Sequence, residues 1–128
     1  GMITNIKADK INNRVSVNDF KSNINVREEY IFYKDELINP EFISTGMLYK
    51  SNYRTYKIVL MGDVTGDGVI KMNDVMKIAS QLVNGNVLYD EYLIAGDVTG
   101  DNKVKMNDVM KIASGLVNGG SLWEKSIY

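Results

Sequence analysis

Gly62-Asp63-Val64-Thr65-Gly66-Asp67-Gly68-Val69-Ile70-Lys71-Met72-Asn73-Asp74 opens a 24-residue stretch, closing at Gly85, that recurs from Gly96 to Gly119 with four positions changed. The changes are Gly68/Asn102, Val69/Lys103, Ile70/Val104 and Gln81/Gly115. Each copy begins Asp-x-Thr-x-Asp and sets a further aspartate at its twelfth position. Oxygen-bearing side chains at alternate positions of a Gly-rich turn can converge on one point, so a cation is the first ligand to consider.

The spacing is that of an EF-hand calcium loop, which draws six to eight oxygens from positions 1, 3, 5, 7, 9 and 12. In the first copy the candidate ligands are Asp63, Thr65, Asp67, the backbone carbonyl of Val69, and Asp74; in the second they are Asp97, Thr99, Asp101, the carbonyl of Lys103, and Asp108. Position 6 turns at positive φ, which Gly68 does freely and Asn102 at a tolerable cost. Thr at position 3 offers one neutral oxygen, and Lys71 and Lys105 at position 9 offer no acceptor, so water is expected at that corner. Three carboxylates around one point carry a formal charge of −3, which favours a divalent ion over an ordinary Asp/Gly turn capping a helix. The 34-residue offset between the copies equals the period of a tetratricopeptide array, but only two copies are present and they preserve acidic positions.

The chain has 128 residues, is 45% hydrophobic and carries a net charge of −1. That length suits one ordinary domain or two small ones with limited cores. The near-neutral charge gives no basic footprint for nucleic acid. Cysteine and histidine are both absent, which removes the usual zinc sites, thiol nucleophiles and every imidazole-dependent triad. The chain is therefore read as a non-enzyme, with calcium rather than disulfides as its staple. No stretch approaches the roughly 20 apolar residues of a membrane span, and no secretory signal is present. Gly1-Met2 reads as an artificial boundary, and the whole as the end of a longer secreted polypeptide.

Before the repeats, Met2 to Ala8 reads as a short strand. Ser16 fits a helix N-cap with Asp19 at the third helical position and Val15 and Phe20 as a hydrophobic staple. Val17, Phe20 and Ile24 form one face of a helix ending near Asn25. Val26 to Leu37 reads as a strand broken at Asn39-Pro40, Thr45-Gly46 as a turn, and Tyr53 to Met61 as a second strand running straight into the first loop. Tyr30, Phe32, Tyr33, Tyr49, Tyr53 and Tyr56 offer rings for sugar stacking, although strands favour such residues anyway. Each loop leads into a helix, about Met72 to Val83 and Met106 to Val117, stopped by Asn-Gly. Val75, Ile78, Ala79 and Leu82 share one side as the buried stripe, with Met72, Met76 and Val83 beside it. Leu88 to Ala95 reads as a shorter third helix stopped at Gly96.

The tandem Gly-Asp-Val-x-Gly-Asp loops, each followed by a helix and none preceded by one, resemble a type I dockerin over about Met61 to Gly120. The resemblance implies two calcium ions, three helices, and docking onto a cohesin, a β-sandwich module on a scaffold or cell surface. It implies a secreted bacterial protein located outside the cell or at its surface, and a monomeric fragment. Partner contacts then fall on Met72, Asn73, Met76, Lys77, Ser80 and Asn84, and on Met106, Asn107, Met110, Lys111, Ser114 and Asn118. Met72-Asn73 and Met106-Asn107 stand where well-known members carry polar pairs, which points to a greasier partner patch; the methionines have filling of internal gaps as their other reading. Residues 2–61 resemble the small β modules that precede dockerins in Firmicute extracellular proteins. The expected fold class is accordingly α+β: a small β-rich module with one helix over residues 2–61, then an all-α dockerin-like domain of paired calcium loop-helix units over residues 62–128. Two other functions stay open, a carbohydrate-binding or adhesive module with purely structural calcium, and a calcium sensor. Trp123 is expected to pack within the chain.

Overall fold

A computed structural model describes residues 1–9, 13–22 and 30–118. Ile24, the helix end near Asn25, the start of the strand at Val26 and Trp123 lie outside the described residues. The elements are β1 (Met2–Ile6), α1 (Val17–Ser22), β2 (Ile31–Lys34), β3 (Leu37–Ile38), β4 (Leu48–Lys50), β5 (Thr55–Leu60), α2 (Met72–Asn84), α3 (Glu91–Gly96) and α4 (Met106–Asn118). The strands form one mixed sheet in the order β1-β5-β4-β2-β3, with β1 parallel to β5 and the other pairs antiparallel.

Local chemistry sets several of these boundaries. Ser16 caps α1, its Oγ accepting the Asp19 N–H at 3.0 Å while its carbonyl accepts that of Phe20. Asp74 Oδ2 accepts the Lys71 N–H at 2.8 Å and so closes the start of α2, and Asp108 does the same for Lys105 before α4. Gly85 ends α2 at φ 67, its N–H bonded to the Gln81 carbonyl. The strand expected over Val26 to Leu37 is instead a hairpin: Asp35 takes φ 53, and Lys34 pairs with Leu37 across a two-residue turn. β4 is only three residues long, too short for its alternation to register in the sequence.

The expected division into a β module and an all-α second domain is not what the chain adopts. β5 is buried on both faces. Ile58 and Leu60 join Val17, Phe20, Phe32, Ile43, Met47 and Tyr49 in one core, while Val59 and Met61 join Val64, Ile70, Val75, Ile78, Leu88, Ala95 and Ile112 in the other. A strand flanked by core on both sides makes the helices a layer of the same mixed α/β structure, because the apolar side of α2 and α4 needs the sheet to complete its burial. Further ties cross this boundary. The Thr45 N–H donates to Asp63 Oδ2 at 3.0 Å, and Lys57 on β5 pairs with Glu91 on α3 at 3.2 Å.

Thr45 is the buried joint between sheet and first loop. Its hydroxyl accepts the Leu60 N–H at 3.1 Å and donates to the Leu60 carbonyl at 3.0 Å. Thr45→Val keeps the shape but removes the acceptor for a buried N–H, so a loss of about 1–3 kcal/mol is expected in denaturant unfolding. A change below a few tenths would show that this joint contributes nothing.

Candidate metal centres

In the first loop, Asp63, Asp67 and Asp74 bring one carboxylate oxygen each to within 4.8 Å of one another, and Asp97, Asp101 and Asp108 repeat the arrangement in the second. The backbone aims them. Asp63 Oδ1 accepts the N–H groups of Gly66 and Asp67, and its Oδ2 accepts that of Gly68. Asp97 takes the matching bonds from Gly100, Asp101 and Asn102. Thr65 Oγ1 donates to Asp74 Oδ1 at 3.0 Å, and Thr99 does so to Asp108 at the same distance, so position 3 orients position 12.

Position 9 is a lysine in both loops. Lys71 reaches Asp67 Oδ2 at 3.2 Å and Lys105 reaches Asp101 Oδ2 at 3.1 Å, so each lysine neutralises part of its own triad. Asn73 and Asn107 turn to the same two carboxylates, donating from Nδ2 at 3.2 and 3.5 Å. These asparagines, expected at a partner surface, are thus also supports for the fifth loop position. Three carboxylates and one ammonium leave a formal −2 per loop, which matches a divalent cation, and the all-oxygen donor set suits a hard one such as calcium.

Burial raises the Asp63 carboxyl to about 6 despite the N–H groups of Thr45 and Gly68. Burial likewise raises Asp74 to about 6, with the Asp63 charge adding to it. Burial alone would raise Asp67, but donors from Val69, Asn73 and Lys71 together hold it below the usual aspartate value. Asp101, bonded first by Lys105 and then by the Lys103 N–H, falls to about 2. A buried carboxylate that resists ionisation gains most from a cation beside it, and Asp63 and Asp74 of the first loop are of that kind.

The loops differ in what covers them. Segment 43–46 lies over the first: the Thr45 N–H donates to Asp63 Oδ2 at 3.0 Å, Arg14 donates to the Asp67 carbonyl at 3.1 Å, and Lys34 braces the roof through the Thr45 carbonyl at 2.9 Å. Asp101, Asn102 and Lys103 of the second loop face solvent. Sequence reasoning missed Arg14, Lys34 and Thr45; the only trace of them was the Gly68-Val69 versus Asn102-Lys103 difference between the copies.

Beyond each loop, the expected partner residues are distributed unevenly. Met72 and Met76 are 52% and 66% exposed, and Met106 and Met110 are 57% and 64% exposed. Val83 and Val117 continue the exposed rows, while Lys77 and Lys111 are half-buried. Asn84 and Asn118 donate to Ser80 and Ser114 one turn earlier. Among the candidate stacking rings, Phe32 and Tyr49 are core residues and Tyr30 stacks on Tyr49 at 4.1 Å; Tyr53 stands out in solvent on the turn before β5. No helix among the described residues is long and apolar enough to cross a membrane. No protein-family model, curated protein or solved structure matches the chain.

Proposed function

We propose that the chain is a calcium-stabilised protein-docking module, in which two loop-helix units act as those of a type I dockerin do, here carried on a mixed sheet. The observation that carries this reading is the exposed apolar row repeated on α2 and α4, which starts at Met72 and Met106 within each acidic loop. Leaving four methionines and two valines in water is unfavourable unless a partner covers them, and flexible thioethers suit an irregular protein surface. The proposed partner is a cohesin-type β-sandwich, and the proposed setting is the cell surface or the medium, where calcium is plentiful enough to act as a constitutive ion. The aromatic residues of the sheet support the carbohydrate reading poorly, since its largest rings pack against each other. A calcium sensor would need a stably folded calcium-free state, which circular dichroism in chelator reads directly.

The test is calorimetry against a panel of cohesin-type modules, in calcium and in chelator. Binding is expected only in calcium. Because the two rows are near copies, Met72→Ala with Met76→Ala is expected to leave affinity nearly intact, while adding Met106→Ala and Met110→Ala weakens it about 100-fold or more. Unchanged affinity in the fourfold variant would remove these rows as the docking surface.

A further inference from the structure

Two loops with one ligand pattern occupy different environments, and the differences between the copies follow that division. A Cβ at Gly68 would lie 2.8 Å from the Ile43 carbonyl oxygen and 3.2 Å from the Arg14 guanidinium, so only glycine fits under the roof. The equivalent Asn102 sits in solvent at φ 67 with room for its side chain. Gly66 is pressed similarly, its notional Cβ 3.1 Å from the Thr45 carbonyl oxygen, whereas a Cβ at the equivalent Gly100 would meet nothing within 4 Å. Val69 is buried where Lys103 is exposed, and Ile70 is fully buried where Val104 is half-covered. Of the four changed positions, Gly68/Asn102 is thus explained by the presence or absence of segment 43–46, while Ile70 belongs to the core shared with Val59 and Met61.

We infer that the first loop retains its ion while the second exchanges it with solvent, because the roof formed by residues 43–46 and Arg14 locks only the first. This rests on the reading of both loops as calcium sites. Releasing an ion requires water to enter and the carboxylates to separate. Among the described residues, Asp97 of the second loop is held by donors of its own loop, the N–H groups of Gly100, Asp101 and Asn102 and the Thr99 hydroxyl at 3.4 Å. In the first, Asp63 Oδ2 is held from outside by Thr45, whose hydroxyl is itself bolted to the end of β5. The roof is anchored in turn, with the Ile43 N–H on the Val15 carbonyl at 2.7 Å and the Gly46 N–H on the Ile58 carbonyl at 3.0 Å. Opening the first loop therefore disturbs the sheet; opening the second disturbs little beyond itself. Thr45 and Arg14 act as positioning residues for the retained ion.

The test is stopped-flow release of calcium from the intact, calcium-loaded chain into excess fluorescent chelator. Two phases of equal amplitude are expected, separated by about tenfold or more, the kinetic equivalent of losing one hydrogen bond. Asp97→Asn should abolish the fast phase and leave the slow one. Gly68→Asn, which imports the residue of the second loop, should accelerate the slow phase about tenfold or more by lifting the roof. Arg14→Ala, an exposed change outside both cores, should accelerate it by about threefold, so that the answer survives if Gly68→Asn does not fold. Two ions released at one rate, or a slow phase that disappears with Asp97→Asn, would overturn the inference and leave the calcium reading intact. Absence of bound calcium would overturn both.

Discussion

Chelation of calcium at pH 7.5 should lower the melting temperature of the intact chain by about 15–25 °C. Each site held at 100 times its dissociation constant contributes about 2.7 kcal/mol by mass action, and each kcal/mol moves a domain of this size by roughly 3–5 °C. The pH dependence should reverse with it. In the metal-free chain Asp63 and Asp74 have their carboxyls raised to about 6, above the ordinary value of 3.8. The folded chain then holds protons that the unfolded chain releases, so their stabilisation is complete below about pH 4 and is lost as the pH rises through about 6. A carboxyl raised this far contributes roughly 2–3 kcal/mol taken singly, and the interacting pair contributes less than twice that. Asp67 and Asp101 run the other way, but both are partly or fully open to solvent and contribute little. The chelated protein is therefore expected to melt higher at pH 4.5 than at pH 7.5. The calcium-loaded protein should do the opposite, since protons compete with the metal for the same oxygens. Thermal melts at the two pH values, with and without chelator, check this; parallel trends in both conditions would refute it.

Phe32→Ala should be the most damaging single core change, at about 3–5 kcal/mol. The ring is wholly buried, edge-on to Phe20 at 5.8 Å between centroids and tilted against Tyr49 at 4.6 Å. The consequence reaches beyond the sheet. Ile58 and Leu60 take the Phe32 side of β5 while Val59 and Met61 take the helical side, so weakening one core loosens the strand that the other packs on. Helical and tyrosine circular dichroism signals should then fall together in one transition at a lower midpoint. Separate transitions, with the helical signal unmoved, would show that the two cores fold independently. In chelator the same variant should not fold, because its deficit approaches the stability remaining in a small metal-free domain.

Local pattern determined a good deal of this molecule on its own. The carboxylate spacing of Asp63, Asp67 and Asp74 and its copy, the starts of α2 and α4 at Met72 and Met106, and the Ser16 cap of α1 were legible because each depends on residues a few positions apart. The tertiary structure decided the rest. The sequence displays the alternation of Tyr53 to Met61 but not that both faces of β5 are covered, since the second covering comes from helices that follow it. It displays Gly68 against Asn102 but not the reason, which is a carbonyl oxygen at Ile43 on the far side of β4 and β5 in the chain. Short-range rules read bonds between neighbours in sequence; which loop lies under a roof, and which helix needs the sheet to bury its apolar side, is set by contacts between residues that only folding brings together.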